Sequence, residues 1–149
     1  MESIFEAAGE MTGLIRLAAA WHVRVMADEM VAHAFSHGYR SDHTERLAAY
    51  WAESLCGPNT YTDSYGDETG VVRIHSGNGP HDDMNVHAVA CFDAALADVG
   101  WPVNQRLGRA LHDYFAWATM GAFDLYHDSA DDVTEGLAIP KWSWDGPLA

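Results

Sequence analysis

Histidine is the residue type in this sequence that points most directly to chemistry. The chain of 149 residues contains nine histidines, and a neutral imidazole can ligate a metal or donate a hydrogen bond to a bound molecule. Three of them, His22, His43 and His75, lie beside apolar residues on separate segments. Inward-facing histidines on separate segments predict a site that holds a cofactor or a metal ion.

The position of each histidine supports this interpretation. His43 precedes Leu47 by four residues and Trp51 by eight, which places it on the apolar face of a helix. His22 follows Trp21 on an earlier helix. His75 ends a short apolar run and precedes the glycine-rich stretch 76–79, so it can reach a ligand without distorting a long helix.

Helical periodicity predicts four elements that position these residues. Strand signals are sparse, and the β-branched cluster at 70–74 is short. We therefore expect an all-α fold with helices over about 12–31, from 41–42 to Gly57-Pro58, from Gly79-Pro80 to about Gly100, and from Trp101-Pro102 to about Tyr126. Asp42 and Glu45 predict a capping pair at the start of the second helix.

Two segments fall outside this pattern. The polar connection from 57 to 70 is long for a compact helical domain, so we expect it to cover something. The last 22 residues, from Asp128, contain Trp142 and Trp144, and we expect this tail to fold back over the helices because tryptophan is costly to leave in water. We predict one globular domain over 1–127 with an extension over 128–149.

Composition excludes several classes. Eight basic and 22 acidic residues give a formal net charge of −14, which argues against binding to nucleic acid or to an anionic membrane. No apolar run is long enough to cross a bilayer, and the first residues do not resemble a secretory signal. We expect a cytoplasmic protein with Cys56 and Cys91 as buried, reduced thiols.

Several motifs together resemble the truncated haemoglobins, in particular their second group. The opening 4–10 is similar to the family's hFxxhGG, with Glu10 at the second glycine. Glu45-Arg46-Leu47 and the later Gly57-Pro58-Asn59-Thr60-Tyr61 resemble the group's ERLxxF and GGPxxYS. Arg73-Ile74-His75 matches the place of its proximal histidine, and the closing 142–146 is similar to a tail of actinobacterial members.

This resemblance implies a shortened globin, a two-over-two helical sandwich around haem b. It implies His75 as the proximal iron ligand, with its second ring nitrogen bonded to a nearby acceptor. Arg46 matches a residue that pairs with a haem propionate. Tyr61 matches a loop residue near the proximal side, although a simple loop anchor explains it equally well.

On the opposite, distal face, the resemblance implies His22 at a position that is usually tyrosine and His43 at the common distal position. Phe35 and Leu47 would pack on the porphyrin. The group's tryptophan on the third helix is replaced here by Ala88, with His87 beside it, which removes an indole donor. His22, His43 or His87 could donate to a ligand instead, or one imidazole could bind the iron and make it six-coordinate.

The implied function is binding of oxygen or another diatomic gas, such as nitric oxide or carbon monoxide, for transport or storage. Nitric oxide dioxygenase and peroxidase-like activities are extensions of the same resemblance. Homodimerisation and the identity of a reductase stay open. The alternative from the residues themselves is a non-haem helical-bundle enzyme that binds a metal through His22, His43 and His87.

Overall fold

The chain folds mainly into helices. A computed structural model describes residues 2–33, 41–75, 82–120 and 136–148, with the side chains of 72–75, 82 and 120 outside that description. In these ranges the elements are α1 (Ile4–Ala7), α2 (Glu10–Met26), α3 (Glu29–Ala32), α4 (His43–Ser54), α5 (Thr60–Ser64), α6 (Glu68–His75), α7 (Asp82–Asp98) and α8 (Arg106–Met120), followed by β1 (Trp142–Ser143) and β2 (Gly146–Pro147). Helix α2 packs on α4 and α7, and α7 packs on α8.

A tight corner joins α1 to α2. Ser3 and Glu6 form a capping box at the start of α1, and Gly9 turns the chain with φ at +83°. A Cβ on Gly13 would lie 1.6 Å from the carbonyl oxygen of Ala8. Only glycine therefore lets α2 pass so close to the end of α1.

The single helix expected over 12–31 is wrong, because the chain breaks into α2 and α3 around Asp28. Asp28 is extended, with φ −103° and ψ 113°, and its carboxylate accepts hydrogen bonds from the backbone N–H groups of Met30 and Val31. An aspartate that caps a new helix in this way competes with continuation of the preceding one. The break redirects the chain toward α7, which α3 contacts.

The predicted capping pair at Asp42 is also wrong. Asp42 is the N-cap of α4, but its side chain makes no capping bond; instead its Oδ2 accepts from Nε of Arg46 at 2.9 Å. The carboxylate makes either bond charge-assisted, but the guanidinium adds a full positive charge that a backbone N–H lacks, which favours the bond to Arg46.

The connection after α4 is more regular than a polar loop. It contains α5 and the first turn of α6, and the β-branched cluster at 70–74 lies within α6. Predicted helix ends near Gly57 and Gly100 agree closely with the observed ends of α4 and α7. The part of the last predicted helix beyond Met120 lies outside the described residues.

Aromatic side chains fill the core between α2, α4, α7 and α8. Phe92 and Phe115 stack at 4.1 Å between ring centroids, and Trp51 meets both edge-on at 5.5 and 6.2 Å. Trp21 meets Trp51 and Phe115 edge-on. These are favourable quadrupole geometries as well as large buried areas. The helical architecture confirms the predicted class.

The C-terminal segment returns to the helices, as expected. Residues 142–143 and 146–147 form a two-stranded antiparallel hairpin. Trp142 is 9% exposed and packs on Tyr114 and Trp117 of α8. Trp144 donates to the carbonyl oxygen of Glu2 at 2.7 Å, which ties the two ends of the chain together.

One cysteine differs from the expectation. Cys91 is buried, but Cys56 is exposed just after α4, with φ at +70°. Both are free thiols.

Candidate functional site

Two of the predicted site histidines come together. His22 projects from α2 and His43 from the first turn of α4, and their ring centroids are 5.6 Å apart with the planes tilted by 55°. Nε2 of His22 and Nδ1 of His43 are shielded from solvent. The packing of α2 on α4 therefore brings two partly buried imidazoles side by side.

The next turn of α4 adds two further predicted residues. Leu47 is partly buried and packs against the core. Arg46 pairs with Asp42, its guanidinium lies 4.9 Å from the ring centroid of Tyr65, and one of its N–H groups lies 3.4 Å from the Tyr65 carbonyl oxygen. Arg46 is thus held at the edge of the domain, with its charge partly satisfied by Asp42.

On α7, Ala88, which the resemblance places at the tryptophan position, and its neighbour His87 lie on different faces of the helix. Ala88 is 8% exposed, and its carbonyl oxygen accepts from the indole N–H of Trp21 at 3.2 Å, which fixes α7 against α2. His87 is exposed on the outside of α7, where its Nδ1 lies 2.9 Å from Oδ2 of Asp28. This contact, with the backbone N–H groups that Asp28 accepts, lowers the pKa of the Asp28 carboxyl.

His75 is the last residue of α6, and its side chain lies outside the described residues, as does the whole of Phe35. The other end of α6 is well anchored. Glu68 and Thr69 are 5% and 1% exposed, and the Thr69 hydroxyl accepts from the backbone N–H of Leu137 in the tail. The segment that ends at His75 is therefore tied to the core and to the tail.

A buried carboxylate at this anchor was not foreseen. The Tyr50 hydroxyl on α4 lies 3.0 and 2.8 Å from the two carboxylate oxygens of Glu68. Burial raises the pKa of Glu68, the Tyr50 hydrogen bond opposes that shift, and the negative charges of Asp67 and Glu53 add to it. The polar residues around Glu68 do not indicate that it is buried. The signal in the sequence was Tyr50, whose hydroxyl on the apolar face of α4 needs a hydrogen-bond partner.

A second buried carboxylate lies nearby. Glu53 on α4 is 4% exposed and accepts hydrogen bonds from the backbone N–H and the hydroxyl of Thr62. The Lys141 ammonium from the tail donates to the Glu53 carbonyl oxygen at 2.8 Å. Because buried carboxylates are costly without such partners, these contacts explain how α5 and the tail are held on α4.

Tyr61 lies on α5 between two other tyrosines. Its ring centroid is 5.5 Å from that of Tyr50 and 6.0 Å from that of Tyr65. Tyr50, Tyr61 and Tyr65 thus form a row of three aromatic rings, with Tyr61, the loop residue named in the sequence analysis, in the middle.

The three-histidine metal site is not assembled in the part of the chain that the structure describes. No group of three or more histidine, cysteine, aspartate or glutamate side chains there could hold a metal ion. His87 faces outward to Asp28, whereas His22 and His43 form the inner pair. The alternative of a non-haem metal enzyme built on these residues is therefore not supported. No helix among the described residues has the length and apolar character needed to span a membrane.

Known structures show the same fold. The haemoglobin of the thermophilic phototrophic bacterium Chloroflexus aurantiacus superimposes with a TM-score of 0.69 at 21% identity, over 81% of this chain and 97% of that one. The group II truncated haemoglobin of Bacillus anthracis gives 0.65 at 17% identity, over 79% and 88%. A triple mutant of the truncated haemoglobin ASV-TfTrHb gives 0.67 at 21% identity, over 92% and 98%. The fold is that of a truncated globin.

The sequence itself places the chain in a family. A family model for bacterial-like globins matches residues 3–118, and the chain belongs to that family. A search of curated protein sequences finds no match.

Proposed function

We propose that this chain binds haem b through His75 and binds oxygen or another diatomic gas on the side of His22 and His43. Membership of the bacterial-like globin family supports haem binding. The observation that carries the proposal is the pair of partly buried imidazoles from α2 and α4, 5.6 Å apart between centroids, each with one ring nitrogen shielded from solvent. When bound, haem supplies the iron that coordinates the gas.

The donor set fits this group. A distal pocket needs a hydrogen-bond donor close to the bound ligand in surroundings of low dielectric constant, and an imidazole N–H is such a donor. His22 and His43 have ring nitrogens shielded from solvent, and Leu47 adds an apolar surface one turn beyond His43. Either histidine can orient a bound gas by donating to it.

Ala88 supports a pocket with more room than the tryptophan of the related group would leave. Its side chain ends at Cβ on the buried face of α7, while Trp21 holds that part of α7 close to α2. We propose that the hydrogen bond to the bound gas, which the tryptophan on α7 would donate in the related group, is donated in this chain by a histidine of α2 or α4.

Arg46 is proposed to hold a haem propionate. It is one of only eight basic residues in the chain, and Asp42 and Tyr65 already fix the orientation of its guanidinium. A planar guanidinium has enough N–H groups to donate to a second carboxylate beside the first. Nitric oxide dioxygenation and peroxidase-like turnover stay predictions.

An absorption spectrum tests the proposal. The purified protein, or the protein after addition of haemin, is expected to show an intense Soret band, and the carbonyl adduct of the ferrous form should shift it sharply. His75→Ala is expected to lose stable haem, whereas His112→Ala, which changes a histidine paired with Asp93 on α7, should keep it. Absence of a Soret band after addition of haemin would overturn haem binding, and normal retention in His75→Ala would overturn the assignment of the ligand.

A further inference from the structure

The contact between Tyr50 and Glu68 has the geometry of a proton-transfer pair. The phenol oxygen lies within hydrogen-bonding distance of both carboxylate oxygens, 3.0 and 2.8 Å away. Glu68 is 5% exposed, so its hydration is largely replaced by this contact. Because burial raises its pKa, the ionised form of Glu68 is a stronger base than an ordinary surface glutamate.

Two more tyrosines extend a row of aromatic rings from Tyr50. Tyr61 meets Tyr50 edge-on, with 5.5 Å between ring centroids and 88° between planes. Tyr65 follows at 6.0 Å from Tyr61. All three rings are partly exposed. Gly66 lies beside Tyr61, and a Cβ added to Gly66 would lie 3.5 Å from the Tyr61 hydroxyl oxygen. Rings in such contact allow an electron to pass from one phenol to the next.

We propose that Tyr50 is a redox-active tyrosine, with Glu68 as its proton acceptor and with Tyr61 and Tyr65 as the path that connects it to reductants in solution. A strong one-electron oxidant takes one electron from Tyr50, the phenol O–H bond breaks, and the proton passes to the Glu68 carboxylate. The products are a neutral Tyr50 phenoxyl radical, a protonated Glu68 and the reduced oxidant.

The return step is balanced in the same way. Tyr61 gives one electron to the Tyr50 radical, Glu68 returns its proton to the Tyr50 oxygen, and Tyr61 loses its own proton to water. Tyr65 then gives one electron to the Tyr61 radical, Tyr61 takes up a proton from water, and Tyr65 loses its own proton to water. A small one-electron reductant of the ascorbate or phenol class finally supplies one electron and one proton to Tyr65. The Arg46 guanidinium 4.9 Å from the Tyr65 centroid disfavours positive charge on that ring, so its oxidation also requires proton loss.

This activity goes beyond gas binding and does not depend on which side chain holds the iron. Peroxide reacting with haem is one source of a suitable oxidant, and a diffusible radical is another. Tyr50 and Glu68 also differ from the proposed ligand residues, so the two proposals can fail separately.

The test reads the tyrosyl radical directly in the full chain as purified, by electron paramagnetic resonance, which detects it with or without haem. In the reference protein, phenylalanine replaces the three tyrosines outside the row, Tyr39, Tyr114 and Tyr126. Circular dichroism checks its fold against that of the unaltered chain. A photogenerated one-electron oxidant is applied, and samples are frozen at fixed times. Tyr50→Phe, Glu68→Gln and Tyr61→Phe are then compared in this background.

We expect Tyr50→Phe to remove most of the long-lived radical. Glu68→Gln should slow its formation about a hundredfold, because an amide does not take the proton. Tyr61→Phe should leave its formation in place but slow its reduction by ascorbate about tenfold, because the electron donor in contact with Tyr50 is removed. In the reference protein, formation in heavy water should slow about twofold, as for a step coupled to proton transfer.

The heavy-water measurement needs no substitution at Glu68, so it applies even if Glu68→Gln does not fold. Equal radical yields with Tyr50→Phe would overturn Tyr50 as the redox-active residue. Equal rates in light and heavy water, or equal rates in a folded Glu68→Gln protein, would overturn proton transfer to Glu68. Unchanged quenching by ascorbate in Tyr61→Phe would overturn the path.

Discussion

The imidazole rings of His22 and His43 lie side by side, 5.6 Å apart between centroids, although they are 21 positions apart in the sequence. The contact exists because α2 packs along α4. Each helix contributes one histidine from its inward face, so either ring could act on the same small ligand. This relationship gives the first prediction.

Removal of the donating histidine should loosen a bound gas. We expect whichever of His22→Phe and His43→Leu removes the donor to raise the C–O stretching frequency of the carbonyl adduct and to speed oxygen release about tenfold, since a hydrogen bond contributes about 1 kcal/mol or slightly more. Resonance Raman spectroscopy and stopped-flow measurements check this. His112→Ala is the control. If neither substitution moves the stretch, the donor is a group other than these two histidines.

Trp142 should be a major contributor to stability although it lies near the chain end. It is 9% exposed and packs on Tyr114 and Trp117. Trp142→Ala is expected to lower the free energy of unfolding by about 3 kcal/mol, as for other buried large aromatics. Urea unfolding measures it. Trp144→Ala, which removes a partly exposed ring stacked under Arg106, should cost about 1 kcal/mol. Equal costs would contradict the burial difference.

Glu68 should make stability fall as the pH rises. Its pKa is raised in the folded state by burial, against the opposing Tyr50 hydrogen bond, with Asp67 and Glu53 adding to the rise. The folded state therefore holds the proton more tightly than the unfolded state, and this stabilisation is lost from the ordinary glutamate pKa upward through the raised value.

Glu68→Gln removes that loss and keeps a hydrogen-bond acceptor for Tyr50. We expect its free energy of unfolding to depend less on pH than that of the unaltered chain over the acidic to neutral range, as measured by urea unfolding. Asp63→Asn, at an exposed carboxylate that is not among the causes of this shift, is the comparison. A profile for Glu68→Gln that parallels the original would show that Glu68 titrates normally.

Asp28 should titrate below the ordinary range for aspartate. Its carboxylate bonds to His87 and accepts the N–H groups of Val31 and Met30, and the His87 contact is the largest cause of the lowered pKa. Because the folded pKa is depressed, this stabilisation is present above the unfolded pKa and is lost as the pH falls through the folded value. His87→Ala should raise the Asp28 pKa toward normal, as read by carboxyl NMR titration. His112→Ala should leave it unchanged, and a matching shift there would point to a general effect.

Much of the helical architecture can be predicted from local sequence patterns. The apolar periodicity of 12–31, 41–57, 80–100 and 102–126, with glycine and proline at the ends, predicts an all-α chain, and the motifs around Arg46, Tyr61 and His75 indicate the family. The two tail tryptophans predict burial simply from their size. These inferences succeed because they depend on residues close together in the chain.

The sequence predictions were wrong where two hydrogen-bonding arrangements compete for the same carboxylate. Asp28 can lie within a continuous helix or cap a new one, and here it caps α3. The Asp42 carboxylate can accept a hydrogen bond from a backbone N–H or from Arg46, and here it accepts from Arg46. In both cases the outcome depends on which groups folding brings close to the carboxylate. Whether Cys56 is buried or exposed likewise depends on how the tail lies across the end of α4. A short sequence window does not contain those neighbours.

The sequence by itself determined the helical class and the family, and it predicted which histidines serve a haem. Only the tertiary structure decided that His22 and His43 meet, that His87 turns outward to Asp28, and that Glu68 is buried against Tyr50. The physical reason is that side-chain type is local, whereas burial and pairing depend on helix packing between residues far apart in the chain.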